Sequence, residues 1–361
     1  MIIGTVKEIL KNEGRVGINL ETTKVLIDKG HTVYVEKDAG INSGISNEDY
    51  INAGATLLDN ANDVWEKSEL IVKVKAPLAQ EYKYFRSDLT IFCYLHLAAD
   101  LKLVDALLEA KTTAIAFETI ETEDGSLPAL RPMSAIAGRL GVLNGAMHLT
   151  KSKGGSGLLV TGLSNINNSN VVIIGAGNVG INAIEVLVGF NTNIIVLNKT
   201  SETLKVLRQI YKNRITTLLS TEANLKKAII DADLIISSPS IPGACAPKLI
   251  KREYYKEMKK GSVIIDVAID QGGSTEVSRP TTHENPTFVV EGIIHYCVPN
   301  IPGDVPLTAT TALNEAIREY IVLLADKGIK NAIEISKEVA LGVNIMDGQI
   351  VNEQVKKLKV L

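Results

Sequence analysis

Short apolar runs of β type alternate along the chain with longer stretches of helical period, a pattern that predicts a parallel α/β architecture. The early runs are MIIGTV (1–6), HTVYVE (31–36), LIVKVK (70–75), LTIFCYL (89–95) and TAIAF (113–117). Between them, LETTKVLIDKG (20–30) has helical spacing and ends on Gly30, a helix-stopping residue. The turn-rich ETEDGSLPALRP (121–132) breaks the series, and an Ala- and Leu-rich stretch from about Ser134 to Thr150 predicts a long helix. A second series follows: VVIIG from Val171, NIIVL (193–197), RITTL (214–218), LIISS (234–238), SVIIDVA (262–268) and TFVVEGIIHYCV (287–298). After PNIPGDVPLTAT (299–310), residues 311–328 predict one strong helix stopped by Gly328, and the tail to 361 is too short to fold alone. The expected fold is α/β with two Rossmann-like doubly wound domains. The second series has the strand count of a dinucleotide-binding fold, so residues 131–307 are expected to form a central dinucleotide-binding domain inserted in a discontinuous substrate domain of 1–130 and 308–361. The ligand cleft is expected between them.

Composition narrows the class. At 361 residues two cores are the natural expectation, and 45% hydrophobic with 22% charged residues is the make-up of a soluble globular protein. A net charge of −3 gives no electrostatic reason to expect nucleic acid or an anionic membrane as partner. No apolar run reaches the length of a membrane span, and Lys7 and Glu8 interrupt the opening residues before any signal-peptide core can form. The three cysteines, Cys93, Cys245 and Cys297, show no CxxC spacing, so neither a disulfide framework nor a zinc site is expected. A cytoplasmic location is the corresponding expectation.

The chemistry begins at VVIIGAGNVG (171–180), where an apolar strand opens into a Gly-x-Gly-x-x-Gly turn and a helix. Gly175 permits the tight turn, Gly177 lets backbone approach a pyrophosphate, and Gly180 lets helix and strand pack closely. The next strand of such units ends in an acidic residue that grips a ribose hydroxyl; here it ends in Asn198, followed by Lys199 and Thr200. Elsewhere Arg15 sits in a polar loop after the first strand, and Lys75 and His96 end strands of their own. The carboxyl ends of parallel strands converge on a ligand crevice, so these three are candidates for one pocket. Asp266 and Asp270, four apart in IIDVAIDQGG (264–273), offer carboxylates beyond another strand. His31, His148, His283 and His295 have no metal-ligand spacing and read as structural, and no metal is expected.

The blocks KE…GRVG, VKVKAPL, YLHLAAD, PMSAIAGR, GSVIIDVAIDQGG, RPTTH and HYCVPNIPG, in this order over about residues 1 to 355, resemble the bacterial alanine dehydrogenases. The transhydrogenase α subunit is a more distant relative of the same design. The resemblance implies reversible oxidation of L-alanine to pyruvate and ammonia with a nicotinamide cofactor, NAD(H) or NADP(H), by a homohexamer. It matches Arg15 and Lys75 to the pair that holds the substrate, His96 to the catalytic acid/base and Asp270 to its supporting carboxylate. Tyr94, Glu118, Met133 and Asn300 match positions lining the substrate pocket. Cofactor positions match Ser134, the turn through Gly177, Asn178 and Val179, Ser220, Pro239, Ser240, the run Val267, Ala268, Ile269 and Asp270, then Arg279, Val298 and Ile301. Other readings stay open: a dehydrogenase or imine reductase for another 2-oxo acid, or a nucleotide-binding subunit without dehydrogenase chemistry.

Some residues depart from the family pattern. Asn198 replaces the usual Asp, and Thr203 a basic residue. The loss of the carboxylate weakens the ribose contact of NAD but removes repulsion of a 2′-phosphate, for which Lys199 offers a counter-charge and Lys205 is a candidate second cation. Ala76 stands where Glu is usual, Asp304 where a small residue is usual, and Pro239 and Ser240 where apolar residues sit beside the cofactor.

Overall fold

A computed structural model describes residues 1–164, 166, 168–239 and 245–359. The chain divides into two compact units, Met1–Met133 with Gly303–Leu361, and Ser134–Pro302. The junctions thus fall a few residues away from those expected at 130/131 and 307/308. A long helix, α5 (Leu130–His148), runs through the first junction, and the short 3-10 turn Ile301–Asp304 spans the second.

The first unit holds β1 (Ile2–Thr5), α1 (Leu20–Asp28), β2 (Thr32–Glu36), α2 (Asn47–Asn52), β3 (Thr56–Leu58), α3 (Ala61–Lys67), β4 (Leu70–Val72), β5 (Thr90–Cys93), α4 (Leu101–Ala110) and β6 (Thr113–Ala116). Its sheet runs β3-β2-β1-β4-β5-β6-β14-β15, where β14 (Val343–Met346) and β15 (Gln349–Ile350) come from the C-terminal segment. Strands β1 to β6 pair in parallel and β14 joins β6 antiparallel. Helices cover both faces, so strand residues such as Ile3, Ile71, Ile91 and Ile115 are wholly buried. That is why these segments read as unbroken apolar runs rather than alternating ones. Strand order reverses between β1 and β4, the topological switch point where such sheets bind ligands. Of the C-terminal helices, α9 (Pro306–Lys327) starts five residues before the expected 311, because proline at the first helical turn loses no hydrogen bond. It is followed by α10 (Ile329–Ile335), α11 (Lys337–Gly342) and, after the hairpin, α12 (Glu353–Lys359).

The second unit repeats the plan. Its strands are β7 (Ser169–Ile174), β8 (Thr192–Asn198), β9 (Thr216–Leu219), β10 (Leu234–Ser237), β11 (Val263–Asp266), β12 (Thr287–Val290) and β13 (Ile293–Tyr296), in the order β9-β8-β7-β10-β11-β13-β12. All pair in parallel except β12, which runs antiparallel to β13. Helices α6 (Asn178–Leu187), α7 (Ser201–Tyr211) and α8 (Glu222–Ile230) connect the first four strands. The single apolar run 287–298 is therefore a hairpin. Its turn residues Glu291 and Gly292 both have positive φ, at 50° and 81°, as a two-residue hairpin turn requires.

Candidate active site

In the first unit, Arg15, Lys75 and His96 follow β1, β4 and β5, which are adjacent in the sheet, on the carboxyl side of its switch point. The loop carrying Arg15 is pressed onto the end of β4: a Cβ on Gly17 would lie 2.3 Å from the Val72 carbonyl oxygen. The C-terminal helix α9 ties the loop down from the other side. Val16 N donates to Thr310 Oγ1 at 3.1 Å and Asn19 N to Asn314 Oδ1 at 2.9 Å.

Arg15 is buried, at 2% exposure, and its guanidinium is forked onto one carboxylate. Nε donates to Glu13 Oε1 at 2.7 Å and NH2 to Oε2 at 2.6 Å, while NH1 faces Met133 Sδ at 3.1 Å. Burial opposes both charges, yet the paired contacts win: Glu13 is held below the ordinary carboxylate range and Arg15 above its usual value. Removing either partner would strand the other charge in the interior, at a cost of about 3–5 kcal/mol.

Beside this pair, the strand end carries two lysines. Lys75 is half-buried, whereas Lys73 is wholly buried, with Nζ 2.8 and 2.9 Å from the two Glu81 oxygens and 3.6 Å from Glu8 Oε2. Burial alone would depress this ammonium, but Glu8 and Glu81 together raise it. Glu8, Glu13, Lys73 and Glu81 carried no site reading in the sequence. The only available signal was the charge in KE, EGR and VKVK, and nothing local tells which of these charges will meet.

His96 adopts a left-handed conformation (φ 46°, ψ 39°), uncommon for a residue with a Cβ. Glu118, just past β6, holds that turn: its Oε1 accepts from His96 N at 2.6 Å and Leu95 N at 3.2 Å, and Oε2 also takes Leu95 N at 3.2 Å. The imidazole Nδ1 lies 3.7 Å from the same carboxylate, and the ring stacks on Tyr94 at 6.0 Å between centroids. Tyr94 is buried and spends its hydroxyl on the Ala129 carbonyl at 2.7 Å, and burial pushes that phenol up. So Glu118 and Tyr94, matched from sequence to the pocket lining, are tied to backbone here.

In the second unit the Gly-rich turn links β7 to α6 at the other switch point. Gly175 has φ 97°, and a Cβ on Gly180 would sit 2.0 Å from the Gly175 carbonyl oxygen, so neither position admits a side chain. Above Gly177, by contrast, a Cβ would meet no atom within 4 Å. That open space lies at the N-terminus of α6, next to Asn178 and Val179, and suits a pyrophosphate held by backbone N–H groups and the helix dipole. Asn198 ends β8 and closes the turn: its Oδ1 accepts from Ala176 N at 3.2 Å, and its Nδ2 donates to Thr200 Oγ1 at 2.9 Å. Thr200 bonds onward to Thr203 at 2.9 Å, Lys199 is exposed, and Ser220 N donates to the Asn198 carbonyl at 2.9 Å.

Strands β10 and β11 supply the remaining matched positions. Pro239 is buried just beyond β10, and Ser240 lies outside the described residues. Beyond β11, Val267, Ala268, Ile269 and Asp270 form one short 3-10 turn, with Asp270 exposed. The two aspartates differ sharply. Asp266 is wholly buried and accepts from Ser274 N at 2.8 Å, Ser274 Oγ at 3.0 Å and the Ser278 hydroxyl, which makes it a clasp of the turn. Arg279 is exposed and lies 4.3 Å above the Phe288 ring, Val298 and Ile301 are buried, and Asn300 has φ 58°. Ser134 is half-buried on α5. Among the described residues no group of three or more His, Cys, Asp or Glu side chains is arranged to hold a metal ion, and no helix is long and apolar enough to cross a membrane.

Comparison with known proteins identifies the family. Residues 4–137 match the family model described as alanine dehydrogenase/PNT, N-terminal domain, and residues 141–353 match its C-terminal domain. The chain is 44% identical to an alanine dehydrogenase of Methanococcus maripaludis, covering 99% of this chain and 96% of that one. It is 43% identical to that of Bacillus subtilis, covering 99% and 94%. A solved L-alanine dehydrogenase superposes with a TM-score of 0.97 at 42% identity, covering 100% of this chain and 99% of that chain. A transhydrogenase from Sinorhizobium meliloti shares the fold, with a TM-score of 0.84 at 22% identity over 98% of this chain and 99% of its own. The chain belongs to the alanine dehydrogenase family.

Proposed function

We propose that the protein is an alanine dehydrogenase, interconverting L-alanine with pyruvate and ammonia through an imine. The observation that carries this reading is that Arg15, Lys75 and His96 follow three adjacent strands of one sheet at its switch point, with Arg15 gripped by Glu13. Arg15 and Lys75 take the substrate carboxylate and carbonyl, which fixes the 2-oxo acid and polarises the carbon that ammonia attacks. Tyr94, Met133 and Glu118 shape or support this pocket, and the family resemblance adds Asn300. His96 moves protons: in the deaminating direction it takes one from the water that adds to the imine carbon and returns one to the departing nitrogen. An imidazole nitrogen can either donate or accept a proton, which suits it to both tasks. The family resemblance assigns the supporting carboxylate role to Asp270.

A nicotinamide dinucleotide supplies the hydride acceptor and donor when bound. The turn at Gly175–Gly180 would hold its pyrophosphate, and Asn198, Lys199, Thr200 and Ser220 its adenine-side ribose. Ser134, Pro239, Ser240, Val267, Ala268, Ile269, Arg279, Val298 and Ile301 would hold the remainder. The end of β8 bears on which dinucleotide is used. The strand ends in Asn198, whose neutral amide does not repel a 2′-phosphate, and the exposed Lys199 offers it a counter-charge. We therefore propose that NADP(H) is accepted as well as NAD(H). Family resemblance further carries a homohexamer and a cytoplasmic location.

Initial rates of pyruvate reduction with ammonia, run with NADH and NADPH side by side, test both parts. Turnover with NADPH at comparable efficiency is expected. Turnover with NADH alone would keep the dehydrogenase and end the NADP(H) proposal. No turnover with either, on folded protein that binds nucleotide, would favour another 2-oxo acid or a non-catalytic subunit.

A further inference from the structure

Glu8 follows β1, and the substrate chemistry gives it no task. Its side chain is 1% exposed, and burial pushes the carboxyl up in spite of Lys73 and the Val74 N–H. A carboxylate kept in such a place at such a cost has a function to find.

The backbone it touches is the part of the chain that leads into Lys75. Strand β4 pairs with β1 only through Leu70 and Ile71. Past Val72 the backbone stays bonded to the β5 side, through Lys73 N to the Phe92 carbonyl at 3.2 Å and Tyr94 N to the Val74 carbonyl at 3.1 Å. On the β1 side Glu8 takes the place of a strand. Its Oε1 accepts from Val74 N at 2.6 Å and from Lys75 N at 3.2 Å. Its Oε2 makes no hydrogen bond and faces Lys73 Nζ at 3.6 Å, while Glu81 grips that ammonium with both oxygens. The carboxylate is thus held from behind by one lysine and clamps the peptide of the other.

We propose that Glu8 is a positioning residue for the substrate: by fixing the Val74–Lys75 peptide it sets the direction in which Lys75 leaves the strand end. This rests on reading Lys75 as a substrate anchor. Small errors in placing such an anchor are costly, since a displacement of about 1 Å can cost on the order of a hundredfold in rate.

The test is a double-mutant cycle on the full-length enzyme, reading the pyruvate dissociation constant from quenching of bound NADH fluorescence without ammonia, so that no turnover is needed. Glu8→Gln keeps the shape and one acceptor but removes the charge that faces Lys73. It is expected to weaken pyruvate binding about tenfold or more and to leave NADH binding unchanged. Lys75→Ala should weaken pyruvate binding by itself. In the Lys75→Ala background, Glu8→Gln should then add almost nothing, because its effect passes through the missing side chain. Equal pyruvate binding by wild type and Glu8→Gln, or effects that multiply in the double variant, would overturn the proposal. If Lys75→Ala binds pyruvate normally, the anchor reading itself fails and the proposal falls with it. Should Glu8→Gln not fold, Glu8→Asp, which keeps the charge but shortens the reach, goes through the same cycle with the same expectations.

Discussion

The two units share one topology, 3-2-1-4-5 about a central strand, yet they prepare their switch points in opposite ways. The first fills the region behind its strand ends with charge: Glu8, Glu13, Arg15, Lys73 and Glu81 are all buried there. The second fills the corresponding turn with absence, since Gly175, Gly177 and Gly180 leave only backbone. A small 2-oxo acid offers few atoms, so rigid charged groups must supply both recognition and polarisation. A dinucleotide offers a long, already charged pyrophosphate, and for that ligand close backbone approach matters more than side chains. On the proposed reading one layout serves both ligands, because the crevice is a property of strand order and its lining is a separate choice.

The sharpest way to separate the two designs is within the Gly-rich turn itself. Gly180→Ala would drive its methyl against the Gly175 carbonyl oxygen and force α6 away from β7. We expect loss of stability of about 1–3 kcal/mol together with at least a hundredfold weaker NADH binding, measured by thermal unfolding and fluorescence titration. Gly177→Ala meets no protein atom. It should change stability by less than about 1 kcal/mol and still weaken NADH binding, because the methyl occupies the space meant for phosphate. Normal NADH affinity in Gly177→Ala would show that the open space is not the pyrophosphate seat.

A smaller effect distinguishes the interiors by pH. His295 on β13 is wholly buried between Tyr255 and Phe288, neither ring nitrogen has a hydrogen-bond partner, and burial pushes its pKa down to about 4. The unfolded chain takes up the proton near pH 6.5, before the folded one does. The stability associated with the neutral ring is therefore complete above about pH 6.5 and is lost as pH falls towards 4, by about 3 kcal/mol at most. His295→Leu should flatten the fall in melting temperature across that window. An unchanged pH profile in this variant would place the acid sensitivity elsewhere, for instance in the Glu13–Arg15 pair.

Much of this architecture was legible in the sequence because buried parallel strands are apolar throughout, as VVIIG and SVIIDVA are. What escaped was short or depended on distance. Thr56–Leu58 is a three-residue edge strand with partly exposed side chains, too brief to leave a pattern. The hairpin at 287–298 looked like one strand because its turn, Glu291–Gly292, interrupts the apolar run so briefly. In the site, strand ends pointed to Arg15, Lys75 and His96 individually. Their supports were not readable, since Glu8 meets Val74 across 66 residues of chain and Glu118 meets His96 across 22. Nor does spacing separate Asp266 from Asp270, although one is a buried clasp and the other is exposed.

The central claim is that the first unit's charged strand ends perform the chemistry, with His96 as proton carrier, while the nucleotide is held independently by the second. The most direct test is His96→Ala, assayed for reductive amination of pyruvate and for NADH binding on the same preparation. The account predicts a fall in kcat of about 10²–10⁴-fold with NADH affinity unchanged. Turnover within about twofold of wild type would contradict it, because a proton carrier in this reaction cannot be dispensable.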